Sequence, residues 1–272
     1  MGVRVLSLFD GIACGRLALH QLAIPVTSYK AAEIEKHAIT IARSNFPDIE
    51  HVGDVTQLQV GRGECDLLLA GSPCQGFSCS GKRLNFDDPR SKLFWEFVRI
   101  LTEAKPRYFF LENSLMQPAW ADIISEAVGC QPLRIDAGIV SAQHRDRLYW
   151  TNIPGACVPV PNPKFLSEIV GAYDKKIWIY PRGHTNKGVY DYHDKCPTIT
   201  TAGWDRNFFY LRNGEKVKFT PEQAEEIQGL PVGYTSSVSR STRFTKIGNG
   251  WSMPVIEHLL RGLKDVSSSD PA

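Results

Sequence analysis

The sequence lacks any apolar run long enough to cross a bilayer, and its first residues do not resemble a secretory signal peptide. Both absences predict a protein that stays in the cytoplasm and makes no membrane contact. Neither sign of charge dominates either, because 31 lysines and arginines against 29 aspartates and glutamates leave a formal net charge of +2. So weak an excess does not by itself indicate a nucleic-acid partner.

Cysteines are few, and they form none of the patterns that hold disulfide frameworks or metals. The 7 cysteines make an odd count, without CxxC pairs or spaced Cys/His sets. Disulfide cross-linking and a zinc site are therefore not expected, and no metal is predicted. Most of the thiols should be reduced, buried and structural, so a cysteine proposed for catalysis needs a separate argument.

What is present in the first half of the chain is an alternation of strand-like and helix-like segments. Continuous apolar strands that alternate with amphipathic helices predict an α/β fold with a doubly wound, mostly parallel sheet. The predicted strands are residues 3–9, 28–34, 66–70 and 108–111, and the predicted helices are residues 16–22, 36–45 and 91–104.

The pattern changes near Thr151, where a run of prolines begins, and it predicts a second lobe. The expected division is a catalytic and cofactor-binding domain at 1–152, a small irregular lobe at 153–238, a C-terminal segment at 239–266 that returns to the first domain, and a disordered tail at 267–272. Residues 173–218 of the lobe carry nine basic and five acidic side chains, a net charge of +4.

A candidate nucleoside-cofactor loop follows the first strand. Residues 9–15 read Phe-Asp-Gly-Ile-Ala-Cys-Gly, and in doubly wound sheets ligands bind beyond the carboxyl ends of the strands. Glu33, at the end of the second strand, suits hydrogen bonding to ribose hydroxyls, and Asp54 suits an adenine amino group. The loop is not GxGxxG, which disfavours a dinucleotide, and an ordinary glycine turn is the alternative.

A candidate nucleophile follows the short apolar strand at 66–70. Gly71-Ser72-Pro73-Cys74-Gln75 places a cysteine on a rigid turn before a glycine-containing polar stretch. Glu112-Asn113 ends the next strand, and Arg145 and Arg147 are spaced so that one strand face would carry both. A thiol, a carboxylate and paired guanidiniums suit attack on a heteroaromatic ring. The alternatives are a buried structural cysteine and a Glu112–Arg147 ion pair, and the second can coexist with a catalytic role.

These motifs, in this order, resemble those of the cytosine-C5 DNA methyltransferases. The similarity rests on Phe-Asp-Gly at 9–11, Glu33, Pro-Cys-Gln at 73–75, Glu-Asn at 112–113, Gln-x-Arg-x-Arg at 143–147 and Gly-Asn at 248–249. It runs through essentially the whole chain, and the lobe falls where that family keeps its target-recognition domain. The short lobe, Pro-Thr-Ile-Thr-Thr at 197–201 and Trp-Ser-Met-Pro-Val at 251–255 look most like the de novo branch and its small bacterial and phage relatives.

The resemblance implies a Rossmann-like methyltransferase with S-adenosylmethionine as methyl donor, S-adenosylhomocysteine as product and double-stranded DNA as partner. By this resemblance, Cys74 adds to C6 of a flipped-out cytosine while Glu112 engages N3, and C5 then takes the methyl group. Arg147, with Arg145, would position the base and stabilise developing charge. Asn113 would orient the Cys74 loop.

The resemblance also implies two sets of binding residues. Those implied to contact the donor are Phe9, Asp10, Gly11, Ile12, Glu33, Ile34, Asp54, Val55, Asn249 and Trp251. Those predicted to bind substrate are Ser72, Pro73, Gln75, Asn113, Lys82, Arg83, Arg90, Lys195 and Arg206. For the five basic residues of this second set the alternative is a solvated charged surface.

One departure from the family pattern and several rival functions stay open. Ser114 stands where the family usually has valine, which raises the hypothesis of an altered donor or product beside simple drift. A transfer-RNA cytosine-C5 methyltransferase is the nearest rival, although the Cys-Phe-Thr tripeptide of that branch is missing. A catalytically silent DNA-binding regulator is the rival from another class. A monomer is the default expectation, with a dimer as the alternative.

Overall fold

The computed structural model describes residues 2–72, 92–180, 188–201 and 204–264. Two compact units emerge from the contacts along the chain. The first comprises residues 1–135, 146–158 and 256–272, and the second comprises residues 136–145 and 159–255. The predicted domain boundaries at 152/153 and 238/239 stay predictions.

The first unit is built on a seven-stranded sheet in the order β3-β2-β1-β4-β5-β7-β6. Its strands are β1 (Val3–Leu8), β2 (Val26–Ala32), β3 (Glu50–His51), β4 (Leu67–Gly71), β5 (Tyr108–Ser114), β6 (Leu133–Asp136) and β7 (Asp146–Thr151). Strands β1 to β5 pair in parallel, and β7 pairs antiparallel with β5. The chain order reverses between β1 and β4, which is the point where doubly wound sheets bind ligands. The predicted α/β class is confirmed.

Helices connect these strands, as parallel pairing requires. Those of the first unit are α1 (Cys14–Gln21), α2 (Lys36–Asn45), α3 (Lys92–Ala104) and α4 (Pro118–Val128). Helix α2 has the bounds predicted from its spacing, because Glu35 caps its first turn and Phe46-Pro47 stops it. Helix α4 and strand β6 were not predicted.

The core of this unit lies between the sheet and α3. Strand residues such as Leu68, Ala70 and Leu111 are fully buried, and so are Phe97 and Ile100 on one face of α3. Burial of a side chain of this size contributes roughly 1.5–3 kcal/mol. The strands that end in the candidate site residues are therefore held rigidly along their length.

The second unit contains a four-stranded antiparallel sheet in the order β11-β10-β8-β9. The strands are β8 (Lys176–Ile179), β9 (Gly188–Asp191), β10 (Phe208–Arg212) and β11 (Glu215–Lys218). Its helices are α5 (Leu166–Val170), α6 (Trp204–Asn207), α7 (Pro221–Gln228) and α8 (Arg240–Asn249). The short strands predicted for the lobe thus join in a regular sheet.

The last helix, α9 (Met253–Leu260), carries the chain from the second unit into the first. Its five large apolar side chains, Met253, Val255, Ile256, Leu259 and Leu260, are all 0% exposed. Among the described residues, no helix is long and apolar enough to cross a membrane.

Candidate active site

The predicted site residues fall into three groups. Those in the first unit are Phe9, Asp10, Gly11, Ile12, Glu33, Ile34, Asp54, Val55, Ser72, Glu112, Asn113 and Arg147. Those in the second unit are Arg145, Lys195, Arg206, Asn249 and Trp251. Pro73, Cys74, Gln75, Lys82, Arg83 and Arg90 lie outside the described residues.

The loop after β1 has an unusual backbone. Phe9, Gly11 and Ala13 all have positive φ angles, of 56°, 61° and 61°. Glycine adopts this conformation freely, but phenylalanine and alanine do so at a cost of roughly 1 kcal/mol or more each. Strain of this kind persists where the surroundings enforce it, and it is concentrated at ligand-binding sites. The backbone strain therefore favours a ligand-binding loop over an ordinary glycine turn.

Glu33 is tied to this loop by backbone donors. Its Oε2 accepts a hydrogen bond from Gly11 N at 2.8 Å, and its Oε1 accepts from Ile34 N and Glu35 N, both at 2.8 Å. Three N–H donors fix the carboxylate beyond the carboxyl ends of β1 and β2. A carboxylate offers about four lone-pair directions, so one remains for a ligand hydroxyl.

Asp10 is the one strongly perturbed acid of the loop. The hydroxyl of the buried Tyr29, on β2, donates to Asp10 Oδ1 at 2.7 Å. Asp10 Oδ2 is buried and has no hydrogen-bond partner in the described structure. Burial, assisted by the nearby charge of Glu33, raises the pKa of Asp10 to about 6, although its hydrogen-bonding neighbours lower it. A buried acceptor without a donor is costly, and it fits a site for a cationic ligand group.

The remaining predicted donor contacts of this unit differ in accessibility. Asp54 is exposed, and its Oδ1 accepts from Thr56 N at 2.9 Å, which caps the short 3-10 turn at Val55–Gln57. The Ile34 side chain is 70% exposed, which is unusual for isoleucine and suits an aromatic ring resting on it. Ile12 and Val55 have buried side chains, so any contact of theirs with a donor would come through the backbone.

A carboxylate and a guanidinium meet at the end of β5. Arg147 Nε lies 3.0 Å from Glu112 Oε1, and both side chains are largely buried. The antiparallel register pairs Arg147 with Ser114, so the guanidinium reaches diagonally to Glu112 on the same strand face. The pair fixes where the Glu112 carboxylate points. It accounts for the predicted ion pair and leaves the catalytic role of Glu112 a prediction.

Asn113 links the ends of two neighbouring strands. This fully buried side chain donates from Nδ2 to Ser72 Oγ at 2.8 Å and accepts from Ser114 N at 2.8 Å. Ser72 is the last described residue before Pro73 and Cys74. The bond therefore anchors the entry to the predicted nucleophile loop.

The expectation that one strand face carries both Arg145 and Arg147 is wrong. Strand β7 begins at Asp146, and Arg145 precedes it in the second unit. The Arg145 guanidinium donates to the carbonyl oxygens of Ile199 at 3.2 Å, Gly248 at 3.2 Å and Gly250 at 2.9 Å. These three carbonyls satisfy the guanidinium, because a buried guanidinium needs several acceptors at once.

Two glutamines extend this arrangement, and sequence reasoning had assigned neither of them a role. Gln143 Nε2 donates to Gln228 Oε1, while Gln228 Nε2 donates to Gly250 O at 2.7 Å. Together with Arg145 they hold the backbone on both sides of Asn249, which itself is exposed. The Gln-x-Arg spacing at 143–145 was a usable signal, whereas Gln228 had none.

The two predicted nucleic-acid contacts of the second unit have unlike surroundings. Lys195 is buried, and its Nζ donates to Ser141 O at 2.8 Å and to Lys164 O at 2.6 Å. Burial lowers the pKa of this lysine. Arg206, on α6, is exposed. The contacts favour a structural role for Lys195 and leave Arg206 available to a polyanion.

Ser114, the departure from the family pattern, places a hydroxyl beside the Glu112–Arg147 pair. Its Oγ is buried and has no hydrogen-bond partner within the described part of the chain. An unpaired buried hydroxyl typically costs about 1–3 kcal/mol. Valine would carry no such cost, and nothing in the described surroundings explains the serine.

The described residues also contain no cluster of three or more potential metal ligands.

A doubly wound sheet with a strained loop and a fixed carboxylate at its switch point is typical of α/β proteins that bind a ligand there. Residues 3–117 match the family model of the C-5 cytosine-specific DNA methylases. The type II methyltransferase M1.ScrFI of Lactococcus lactis subsp. cremoris is 26% identical over 97% of this chain and 78% of its own length. M.NlaX of Neisseria lactamica is 26% identical over 98% and 97%. These similarities agree with the family that the motif order predicted.

Solved structures support the same fold. A DNA modification methyltransferase described from a prophage of E. coli superposes with a TM-score of 0.73 at 20% identity, covering 98% of this chain and 100% of its own. The Dnmt2 protein of Spodoptera frugiperda gives a TM-score of 0.71 at 19% identity, covering 97% and 100%. At such low identities the similarity shows a shared fold and does not identify the substrate.

Proposed function

We propose that the protein is a DNA methyltransferase that transfers a methyl group from S-adenosylmethionine to C5 of cytosine in duplex DNA. The observation that carries the proposal is the end of β5, where Arg147 holds Glu112 and Asn113 holds Ser72, directly before Pro73-Cys74. Similarity to the C-5 cytosine-specific DNA methylases supplies the reaction class, and this strand end supplies a fixed acid at the entry to the predicted nucleophile loop.

The residues of the β1–β2 region fit an S-adenosyl donor. Glu33 has a lone pair left for a ribose hydroxyl, Asp10 has an unpartnered buried oxygen for an ammonium group, and Ile34 exposes an apolar surface. Phe9, Gly11, Asp54, Asn249 and Trp251 are proposed as further contacts. When bound, the donor supplies an electrophilic methyl group on a sulfonium sulfur.

The chain's own residues then act on the base. The Cys74 thiolate forms a bond to C6, and Glu112 delivers a proton to N3, so that electron density accumulates at C5. C5 takes the methyl group from the sulfonium sulfur, which is left as a thioether, and C5 then loses its proton to a base. The bond from C6 to the Cys74 sulfur breaks and N3 returns its proton to Glu112, which restores the aromatic ring, the thiolate and the acid. Arg147 keeps the Glu112 carboxylate oriented toward the base throughout.

The proposal extends to the partner and the setting. The ring carbon attacked by Cys74 is inaccessible in a duplex, so the cytosine must leave the stack at a cost of a few kcal/mol. Residues 153–238 are proposed as the target-recognition lobe, with Arg206 among its phosphate contacts. We place the protein in the cytoplasm of a bacterial or phage-infected cell and treat it as a monomer.

The test is product analysis by mass spectrometry. Purified protein is incubated with S-adenosylmethionine and either duplex DNA or transfer RNA, and the digested nucleosides are examined for 5-methylcytosine. We expect 5-methylcytosine in DNA alone and its loss in Cys74→Ser, with Cys157→Ser as the matched control because Cys157 is an exposed thiol elsewhere in the chain.

Each other outcome points to a different function. If transfer RNA is methylated and DNA is not, the substrate is transfer RNA. A protein that binds DNA but methylates neither nucleic acid would be the silent regulator. Activity that survives in Cys74→Ser would overturn the assignment of the nucleophile.

A further inference from the structure

Only one of the two carboxyl oxygens of Asp10 accepts a hydrogen bond in the described structure. Tyr29 lies on β2, opposite Val5 of β1, and its ring is 2% exposed. From there the hydroxyl donates to Asp10 Oδ1 at 2.7 Å, a short, charge-assisted distance. Because the ring is packed on all sides, the hydroxyl cannot swing away, and it fixes the rotation of the carboxyl group.

The second oxygen of Asp10 is the one without a donor. Ser7, on β1, is the nearest alternative; it lowers the pKa of Asp10, yet neither Ser7 Oγ nor Asp10 Oδ2 has a hydrogen bond of good geometry. Among the described residues, Glu33 is the charged group that acts on Asp10, and its charge opposes ionisation. Ser7 and Tyr29 both favour the charged form of Asp10, and of these two hydroxyls it is that of Tyr29 that makes a hydrogen bond of normal distance and geometry.

From this geometry we propose that Tyr29 is a positioning residue for donor binding, which holds Asp10 by one oxygen so that the other meets the ammonium group of the donor's amino-acid part. The inference rests on the proposed function and adds a residue that touches neither the donor nor the reacting atoms. If the Tyr29 hydroxyl acts only through Asp10, its removal should weaken the binding of ligands that carry the ammonium group. The binding of ligands without that group should not change.

A consequence is a pH dependence with a defined sign. The ammonium group binds the carboxylate and not the neutral acid, so the affinity should be full at high pH and fall as the pH drops through the pKa of Asp10. Burial raises that pKa to about 6. Removal of the tyrosine hydroxyl takes away a bond to the charged form, so in Tyr29→Phe the fall should begin at higher pH.

The decisive experiment compares two ligands on the full-length protein. S-Adenosylhomocysteine carries the ammonium group, and 5′-methylthioadenosine has the same nucleoside without it. Titration calorimetry from pH 5 to 8.5 should show Tyr29→Phe weakening the first ligand about tenfold near pH 7, the scale of one hydrogen bond to a charged group, and leaving the second unchanged. On an Asp10→Asn background, Tyr29→Phe should have no further effect.

A second readout is independent of any ligand. The ¹³C NMR titration of the Asp10 carboxyl should move to higher pH in Tyr29→Phe, and the folded spectrum should otherwise be retained because the ring still fills its place. Equal weakening of both ligands, no weakening of either, or an unmoved Asp10 titration would overturn the proposal. If the wild type binds neither ligand while the Asp10 titration does shift, the positioning contact stands and the donor assignment in the proposed function is what fails.

Discussion

At the scale of single residues, the loop after β1 holds side chains and backbone in states that are unfavourable in the free protein. Asp10 is buried with one oxygen unpartnered, and Phe9 and Ala13 hold left-handed backbone angles. Each feature lowers the stability of the free protein, and the proposed donor would offset both when it binds. The unfavourable terms therefore lie where binding can offset them.

Asp10→Asn should stabilise the free protein. The ordinary pKa of 3.8 rises to about 6 in the fold, so the folded state holds more protons than the unfolded chain between those values. The free energy of unfolding therefore falls as the pH rises through that window, by a total on the order of 1–3 kcal/mol. Urea titrations should show the variant more stable than the wild type at pH 7.5 and nearly equal to it at pH 4.

Asp10→Asn should also lower the affinity for S-adenosylhomocysteine, because an amide cannot form an ion pair with an ammonium group as a carboxylate does. A gain in stability combined with a loss of affinity is the signature of a residue strained for binding. A variant less stable than the wild type at pH 7.5 would contradict this account of Asp10.

At the scale of elements, Arg145 serves the backbone of the second unit. Its guanidinium satisfies three carbonyls, at Ile199, Gly248 and Gly250, and it is 4% exposed. Lysine carries one compact ammonium group and cannot reach all three, so Arg145→Lys should destabilise the protein by about 2–4 kcal/mol. The matched control is Arg134→Lys, whose side chain is 67% exposed in a pair with Asp146, and which should cost less than about 1 kcal/mol.

Thermal unfolding and hydrogen exchange of the amides near 199 and 248–250 would measure this effect. If Arg145 instead acts on the base, the variant should unfold like the wild type and lose kcat. That outcome would return Arg145 to the catalytic set.

The elements also show how far a sequence can be interpreted. Alternating apolar runs predicted β1, β2, β4 and β5 and the helices between them, because burial on both sheet faces imposes that pattern. The bonds of Glu33, Glu112 and Asn113 follow from their places at strand ends. The Tyr29–Asp10 and Arg145–Gly250 bonds were not predictable, because they join residues far apart in sequence through side-chain directions that spacing does not encode.

At the scale of the whole molecule, charge is distributed unevenly along a nearly neutral chain. The formal net charge of the whole chain is +2, and that of residues 173–218 is +4. The remaining residues therefore have a net charge of −2. A polyanion therefore meets its favourable charge within one segment, and the described basic groups of that segment are not equivalent. Lys195 is buried against two carbonyls, whereas Arg206 is exposed.

The role of these two residues in DNA binding can be tested by comparing Lys195→Gln with Arg206→Gln. The affinity for a short duplex is measured by fluorescence anisotropy from 50 to 300 mM salt, and each phosphate contact contributes about 0.9 to the slope of log affinity against log salt. Arg206→Gln should lower that slope by about one and leave the free energy of unfolding unchanged. Lys195→Gln should leave the slope unchanged and lower the free energy of unfolding, because two buried carbonyls lose their donor. A slope that responds to Lys195 and not to Arg206 would mean that the lobe exposes Lys195 when it binds DNA, and the assignment of phosphate contacts would then pass from α6 to the segment around Lys195.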